Sequence, residues 1–478
     1  MPLAFVVPLI LVRYFTIEEF GNYKQIFLIF YLVIPVIDFG ISNSLYYFLT
    51  KYPENKSGFL SQTFLFQILF CTLLIFIFYI FQAPIAVLFG EGTSLQKYIP
   101  YIGIYAALWH FSSIIEIILI IEKKTPISAL IDFSFECLKS ITSILVVILF
   151  AGGLFDLVIY SLILTGFLKT MLLLVYLHRK NITFFSKLDF SMVRIQVKYA
   201  VPFGVAVIVM AFVIKTHEYI ISYCHGAAVF AVYSVGCFQL PFLHIISDSI
   251  AKVTMVRMTE LTKESNNNAE IAAVLSNSIR LLWMIYFPIA LFFFINAEDL
   301  IIGLFTELYK DSIPVFRVLI IMVPLSAILL RHVPRVYSRT DFILKNNLIR
   351  LILSVIFCFA LNEYYGMLGV AVGHVLATII WTLVYVKIAK DLVNVDIVAF
   401  IPMTPLFLIS FFALLSGIIN IGLLYVISYQ PMINFFISAI CYFGFTLVFL
   451  WGFGVLTPDE KNGILKILKR TLVLRTTG

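Results

Sequence analysis

The stretch Glu18-Glu19-Phe20-Gly21-Asn22-Tyr23 leads into a long apolar run from Ile26 to Leu49, and within that run sits Pro35-Val36-Ile37-Asp38-Phe39-Gly40. About 20 apolar residues, each rising 1.5 Å along a helix, match the roughly 30 Å of hydrocarbon in a bilayer. The stretch therefore reads as a short turn feeding a membrane-length helix that carries a carboxylate near its middle. At an offset of 210 the pattern returns in weaker form: Phe20 meets Phe230, Tyr23 meets Tyr233 and Asp38 meets Asp248. The second copy runs from Ala228 to Tyr233 and on through Pro241. Leu174-Val175-Tyr176 matches Leu383-Val384-Tyr385 at an offset of 209. Several weak matches at nearly one offset predict two related halves, as in many transporters.

Composition sets the class. Of 478 residues, 62% are hydrophobic and 12% charged, and the mean hydropathy is +1.04. Soluble domains run at about 45–50% apolar and about 25% charged, so this is a polytopic all-α membrane protein. The net charge of +7 reports which loops face the cytoplasm and gives no reason to expect nucleic acid as a partner. Six scattered cysteines show no CxxC or ligand spacing and read as small buried apolar residues. The start, Met1 to Val12, lacks the basic region and small-residue cleavage site of a signal peptide.

Fourteen apolar segments are expected, near 2–15, 25–49, 59–82, 98–121, 127–151, 154–177, 199–223, 227–256, 272–295, 314–334, 342–362, 367–388, 402–427 and 432–456. The first is too short to span unaided and reads as truncated. Alternate loops segregate the basic residues. One set collects Lys51, Lys123, Arg179, Arg257, Arg335, Lys387 and many others, together with the tail; the opposite set holds only Arg13, Lys24, Lys97 and Lys310. That asymmetry predicts a cytoplasmic C-terminus. The far-side loops are short, for example Gly152-Gly153, and leave no external domain. The basic link 178–198 separates two lobes, 1–195 and 196–390, and 391–478 adds two further helices and a basic tail. Ile464, Leu465, Leu468 and Leu472, interleaved with Lys466, Lys469 and Arg470, suit either an interfacial helix or a snorkelling terminus.

Ionisable groups inside spans are costly and usually face the bundle interior. Asp132, Glu136 and Lys139 fall at i, i+4 and i+7 on one helix face. They read either as a self-neutralising stripe or as a cation lining a cavity with Glu136 tuning it. Lys215 and Glu218 can pair at i, i+3 beside His217, and Asp248 and Lys252 at i, i+4. Lys252, Arg280 and Arg317 lie near helix ends and can snorkel, whereas Lys169 and Arg350 are of intermediate depth. Asp38 has no basic residue one turn away and reads as a hydrogen-bonded structural carboxylate beside Gly40 or as a proton carrier. His110 and His374 are expected as hydrogen-bonded packing residues. Prolines within spans, among them Pro35, Pro202, Pro288 and Pro324, can bend them.

The residues Arg13, Glu18 to Tyr23 and Asp38-Phe39-Gly40-Ile41-Ser42-Asn43-Ser44-Leu45 resemble the opening of the polysaccharide flippases, the Wzx-type branch of the multidrug/oligosaccharidyl-lipid/polysaccharide (MOP) exporters. Tyr199-Ala200-Val201-Pro202-Phe203-Gly204, His217 to Ile221, Val232-Tyr233-Ser234 and Leu368-Gly369-Val370-Ala371 resemble their later signatures. The resemblance implies two pseudo-symmetric six-helix bundles plus two helices, in a bacterial inner membrane. It implies movement of an undecaprenyl-diphosphate-linked oligosaccharide between leaflets by alternating access, for O-antigen or capsule synthesis. The implied partners are that lipid-linked substrate, membrane lipids, a polysaccharide polymerase and a chain-length regulator; no cofactor, metal or catalytic residue is implied.

Carried over, the resemblance favours Arg13, Lys215 and Lys252 as substrate-binding cations, and the depth argument adds Lys139, Lys169 and Arg350. Asp38, Glu136, His217, Glu218 and Asp248 are the candidates for ion or proton coupling. Two departures stand out. The first helix is shorter than is usual in the family, and His217-Glu218 stands where relatives often carry Asp-Lys or Asp-Arg. The rival readings are a small-molecule cation antiporter on the same scaffold and a membrane glycan polymerase or glycosyltransferase, which would need a larger external loop.

Overall fold

A computed structural model describes residues 2–90, 93–150, 155–180, 189–238, 240–262, 267–426, 430–463 and 465. Among the described residues every regular element is helical. The Gly152-Gly153 loop, part of the basic link and most of the tail segment expected as an interfacial helix lie outside the described residues.

The chain opens with α1 (Pro2–Leu11) and α2 (Ile17–Asp38). Thr16 caps α2: its hydroxyl accepts from the Glu19 amide at 3.2 Å, and the Glu19 carboxylate accepts from the Thr16 amide at 2.9 Å. This reciprocal box satisfies two otherwise orphaned donors and starts the helix upstream. Glu18 to Tyr23, expected as a turn, therefore form the first turns of the helix.

The apolar run also departs from expectation at its centre. Phe39 and Gly40 adopt left-handed conformations, φ 44° and 77°, and a second helix, α3 (Ile41–Lys51), starts after them. Asp38 thus ends a helix and is not placed mid-span. Glycine is required at 40, because a Cβ there would lie 2.6 Å from the carbonyl oxygen of Ala200.

Next come α4 (Lys56–Ile80), α5 (Ile99–Ser112), α6 (Ile114–Ile121), α7 (Thr125–Leu149) and α8 (Phe155–Arg179). They are followed by α9 (Phe190–Gly236), α10 (Pro241–Leu261) and α11 (Asn268–Ile295). The last labelled helices are α12 (Ile313–Leu319), α13 (Thr340–Val393), α14 (Met403–Val426) and α15 (Pro431–Gly452). The 47 residues of α9 and the 54 of α13 would each exceed one bilayer crossing at 1.5 Å per residue. Both break at a glycine: Gly226 (φ 74°, ψ −173°) in α9 and Gly366 (φ 53°, ψ −136°) in α13.

Nine described helices are long and apolar enough to cross a membrane, or ten if the bent pair Glu307–Ser326 and Leu329–Val336 counts as one. With α9 and α13 divided at their glycines, the short piece 227–236 taken together with α10, and charged α7 and short α1 included, the set is consistent with the fourteen expected segments. Large apolar side chains remain outward-facing, such as Phe76 and Tyr79 on α4 and Phe407 and Ile418 on α14. Such continuous apolar exposure suits lipid as the surrounding solvent. The chain is a multi-pass membrane protein.

By packing, the chain divides into two compact units: Met1–Val235 with Asn347–His374, and Gly236–Asn346 with Val375–Gly478. In the first, Phe48 and Leu45 of α3 meet Phe64 of α4, Ile114 and Ile118 of α6, and Leu173 and Leu177 of α8. In the second, Leu275 and Ile279 of α11 meet Met258 of α10, Leu330, and Tyr385 and Ala389 of α13. Among the described residues no disulfide joins the cysteines; Cys71 and Cys358 are buried as expected, but Cys137, Cys237 and Cys441 are half-buried and Cys224 is exposed.

Candidate functional site

Two lysines of the first unit gather around one indole. Gly166 of α8 faces α5 so closely that a Cβ would come within 3.3 Å of the Leu108 Cβ. The Thr170 hydroxyl then donates to the Leu108 carbonyl at 3.1 Å. This close approach sets Lys169 beside Trp109: its Nζ lies 4.4 Å from the ring centroid. Lys139 of α7 reaches the same ring, at 4.6 Å. Cation–π contacts of this kind contribute about 0.5–2 kcal/mol each, more when desolvated.

Neither ammonium stands alone. Lys169, 1% exposed, pairs with Glu116 of α6 at 2.5 Å and reaches Asp132 of α7 at 3.9 Å. Lys139 pairs with Glu136 at 2.7 Å, the i,i+3 neighbour on its own helix. The expected stripe Asp132, Glu136 and Lys139 is therefore shared between two ion pairs, and three carboxylates surround two lysines. In a low-dielectric interior an unpaired charge costs several kcal/mol, which explains why each cation has a partner.

A second pair lies on α9. The Lys215 ammonium contacts Glu218 at 2.6 Å and sits 5.4 Å from the centre of the Tyr31 ring. The Tyr31 hydroxyl lies within electrostatic range of Lys215, Glu136 and Glu218. Tyr105 stacks between this region and Trp109, 5.0 Å from Phe30 and 5.8 Å from Trp109.

His217 points elsewhere. Its ring lies 4.2 Å from that of His374, and its Nδ1 is 2.9 Å from the Tyr233 hydroxyl. The His374 Nδ1 lies 3.1 Å from the Ser354 hydroxyl, and buried Arg350 is within electrostatic range of both histidines. His374 is a hydrogen-bonded packing residue, as expected, but it packs against the other candidate histidine.

Asp38 accepts from the Gly40 amide at 3.1 Å, the Ser42 amide at 3.3 Å and the Asn43 side chain at 3.2 Å. His110 is 3.7 Å away. Asp38, the last residue of α2, thus braces the break before α3, whose N-cap is Gly40, through three accepted hydrogen bonds. Nearby, the Gln196 amide donates to the hydroxyls of Ser44 and Thr63, and that of Gln67 to Ser42.

The remaining candidates lie apart from these clusters. Arg13 is exposed in the turn after α1 and donates to the Leu9 carbonyl. In the second unit, Lys252 and Asp248 are exposed on α10, and Asp248 is within electrostatic range of Arg331 and His332. Arg280, expected to snorkel, pairs with Glu460, which forms a capping box with Thr457. Among the described residues, no group of three or more His, Cys, Asp or Glu side chains could hold a metal ion.

Sequence reasoning passed over Trp109, Tyr31 and Glu116. For Glu116 a signal was present, since it stands alone among isoleucines within an apolar span.

The family described as "Polysaccharide biosynthesis protein" matches residues 10–314, well over half of the chain. No curated protein matches it. Among solved structures, a lipid II flippase MurJ in an inward closed conformation is similar with a TM-score of 0.74 at 18% identity, covering 94% of this chain and 97% of that one. An inward-facing multidrug resistance MATE family transporter of the MOP superfamily is similar with a TM-score of 0.68 at 15% identity, covering 82% and 94%. An outward-facing one has a TM-score of 0.56 at 14% identity, covering 82% and 91%. The chain belongs to the polysaccharide biosynthesis protein family and carries the helical fold of the MOP transporters.

Proposed function

We propose that this protein flips a lipid-linked oligosaccharide, carried on undecaprenyl diphosphate, from the cytoplasmic to the outer leaflet of a bacterial inner membrane. Movement is by alternating access, with 1–195 and 196–390 as the two lobes, 391–478 as an accessory segment and the C-terminus in the cytoplasm. No bond is made or broken. A polymerase and a chain-length regulator then take the exported unit. The observation that carries this reading is the pair of ammoniums, Lys139 and Lys169, held over Trp109 within a membrane protein of this family.

A diphosphate entering the cluster competes with Glu116 and Glu136 for those lysines, and with Glu218 for Lys215. Charge-assisted contacts to phosphate are about twice as strong as neutral hydrogen bonds. Lys139, Lys169 and Lys215 are the first candidates for the diphosphate. Arg350 follows, because it is buried beside two histidines, and Arg13 and Lys252 come last, because they are exposed. Glu136 and Glu218 are the best coupling carboxylates, since each loses its lysine when the substrate binds; Asp38, His217 and Asp248 follow.

Deleting the protein in its host should leave the lipid-linked unit on the cytoplasmic leaflet. Lys139→Ala and Lys215→Ala should each cut surface glycan at normal protein abundance. Wild-type glycan in both variants would remove the site assignment, and normal glycan in the deletion strain would remove the flippase reading.

One observation favours a second reading, export of an organic cation: carboxylates outnumber lysines around Trp109. Uptake of a fluorescent cation by proteoliposomes, abolished by Glu136→Gln, would support it.

A further inference from the structure

In the second unit, the end of α11 and the outward face of α14 frame a cleft of about 390 Å³, lined by Phe294, Ile295, Arg317, Ile421 and Leu424. All of the lining is apolar except one arginine. We propose that this cleft binds an anionic glycerophospholipid, with the headgroup phosphate on the Arg317 guanidinium and an acyl chain along α14.

The position fits a headgroup. Phe294 and Ile295 are the last residues of α11, a 28-residue span, so Arg317 stands beside a membrane boundary. Its Nε donates to the Phe294 carbonyl at 3.2 Å, and the guanidinium lies 5.9 Å from the Phe294 ring centroid. Those two contacts fix the plane of the group and leave its two terminal nitrogens for a phosphate. A planar fork of donors matches phosphate oxygens geometrically. Among the described residues no carboxylate forms an ion pair with Arg317, so its charge is open to an anion at the boundary. Basic groups set between spans at a bilayer surface are suited to anionic headgroups.

The walls fit a chain. Ile421 is 43% exposed and Ile418, one turn away, 66% exposed, so the cleft opens toward lipid. Gly422 has no atom within 4 Å of where its Cβ would be, which leaves room along the helix. A single cation with a long apolar wall suits a phospholipid better than a diphosphate.

The test uses the full chain in detergent, stripped of lipid, with bound lipid counted by native mass spectrometry. Phosphatidylglycerol should bind at least about tenfold more tightly than phosphatidylcholine, the effect of about one charge-assisted contact. Arg317→Gln should abolish that preference, and Arg317→Lys should keep part of it. Ile421→Trp should fill the cleft and weaken phosphatidylglycerol although Arg317 is intact. Arg257→Gln, on an exposed face of α10, should change nothing. Equal binding of the two lipids, or an undiminished preference in Arg317→Gln, would overturn the proposal. So would displacement of phosphatidylglycerol by inorganic phosphate, which would mark a bare anion site, or by undecaprenyl diphosphate, which would assign the cleft to cargo. If Arg317→Gln fails to fold, Ile421→Trp and the lipid preference decide the matter. The outcome is independent of whether the protein is a flippase.

Discussion

Asp38 and Asp248 stand 210 positions apart, and their surroundings are opposite. Asp38 is 9% exposed and accepts from three donors at the start of α3. Asp248 is exposed on α10. The same contrast runs through the two units. The first keeps Lys139, Lys169 and Lys215 beside carboxylates and aromatic rings; in the second Arg280 pairs with Glu460, but Lys252 and Arg257 are exposed. Similar residues 210 positions apart are thus packed differently and carry different hydrogen bonds.

The sharpest way to break this contrast is through the glycines. A Cβ on Gly21 would lie 2.0 Å from the Ala227 carbonyl oxygen, backbone against backbone, whereas Gly422 has open space. Gly21→Leu should destabilise by more than about 4 kcal/mol and abolish folded protein. Gly422→Ala should be neutral or stabilise by about 0.5–1 kcal/mol. Thermal unfolding of the purified chains decides it; a tolerated Gly21→Leu would show that α2 and α9 are not locked together.

Next in size is Lys169→Met. It leaves Glu116 and Asp132 without their cation and should cost about 3–5 kcal/mol. Adding Glu116→Gln should restore much of that loss. Arg257→Met, in an exposed pair with Glu260, should cost no more than about 1 kcal/mol. Equal losses for Lys169→Met and Arg257→Met would erase the distinction between the units.

Asp38→Ala should cost about 2 kcal/mol through three lost hydrogen bonds, and Asp248→Ala less than about 0.5 kcal/mol. Comparable losses in denaturant unfolding would mean that the repeat positions do the same work.

The smallest effect concerns Glu460, outside the spans. Burial pushes its carboxyl up, but the Thr457 amide and the Arg280 guanidinium outweigh this and hold it below the usual carboxylate range. A depressed folded value means that the stabilisation is complete above the unfolded value of about 4.3 and is lost as pH falls through the folded one. The loss should be about 1 kcal/mol and absent in Glu460→Gln; an acid transition unchanged by that substitution would exclude the pair as its cause.

What could be read from the sequence was whatever one helix determines. Lys139 with Glu136 and Lys215 with Glu218 are a single turn apart, so helical spacing alone brings them together. Apolar length gave the membrane class and a number of spans consistent with the described helices. Contacts across helices stayed hidden: Lys169 meets Glu116 from 53 positions away, and His374 meets His217 from the far side of the chain. The break at Phe39 and Gly40 was missed because a run of apolar residues says nothing of φ. What requires glycine at 40 is the nearby Ala200 backbone, which only the fold supplies.

Trp109 has one more consequence. Indole emission responds to charge near the ring, and two ammoniums lie within 4.6 Å of this one. The chain holds only four tryptophans, so replacing Trp283, Trp381 and Trp451 by phenylalanine would leave a built-in optical gauge. Its colour and brightness would then follow, in real time and without any attached dye, each departure of a lysine from its place.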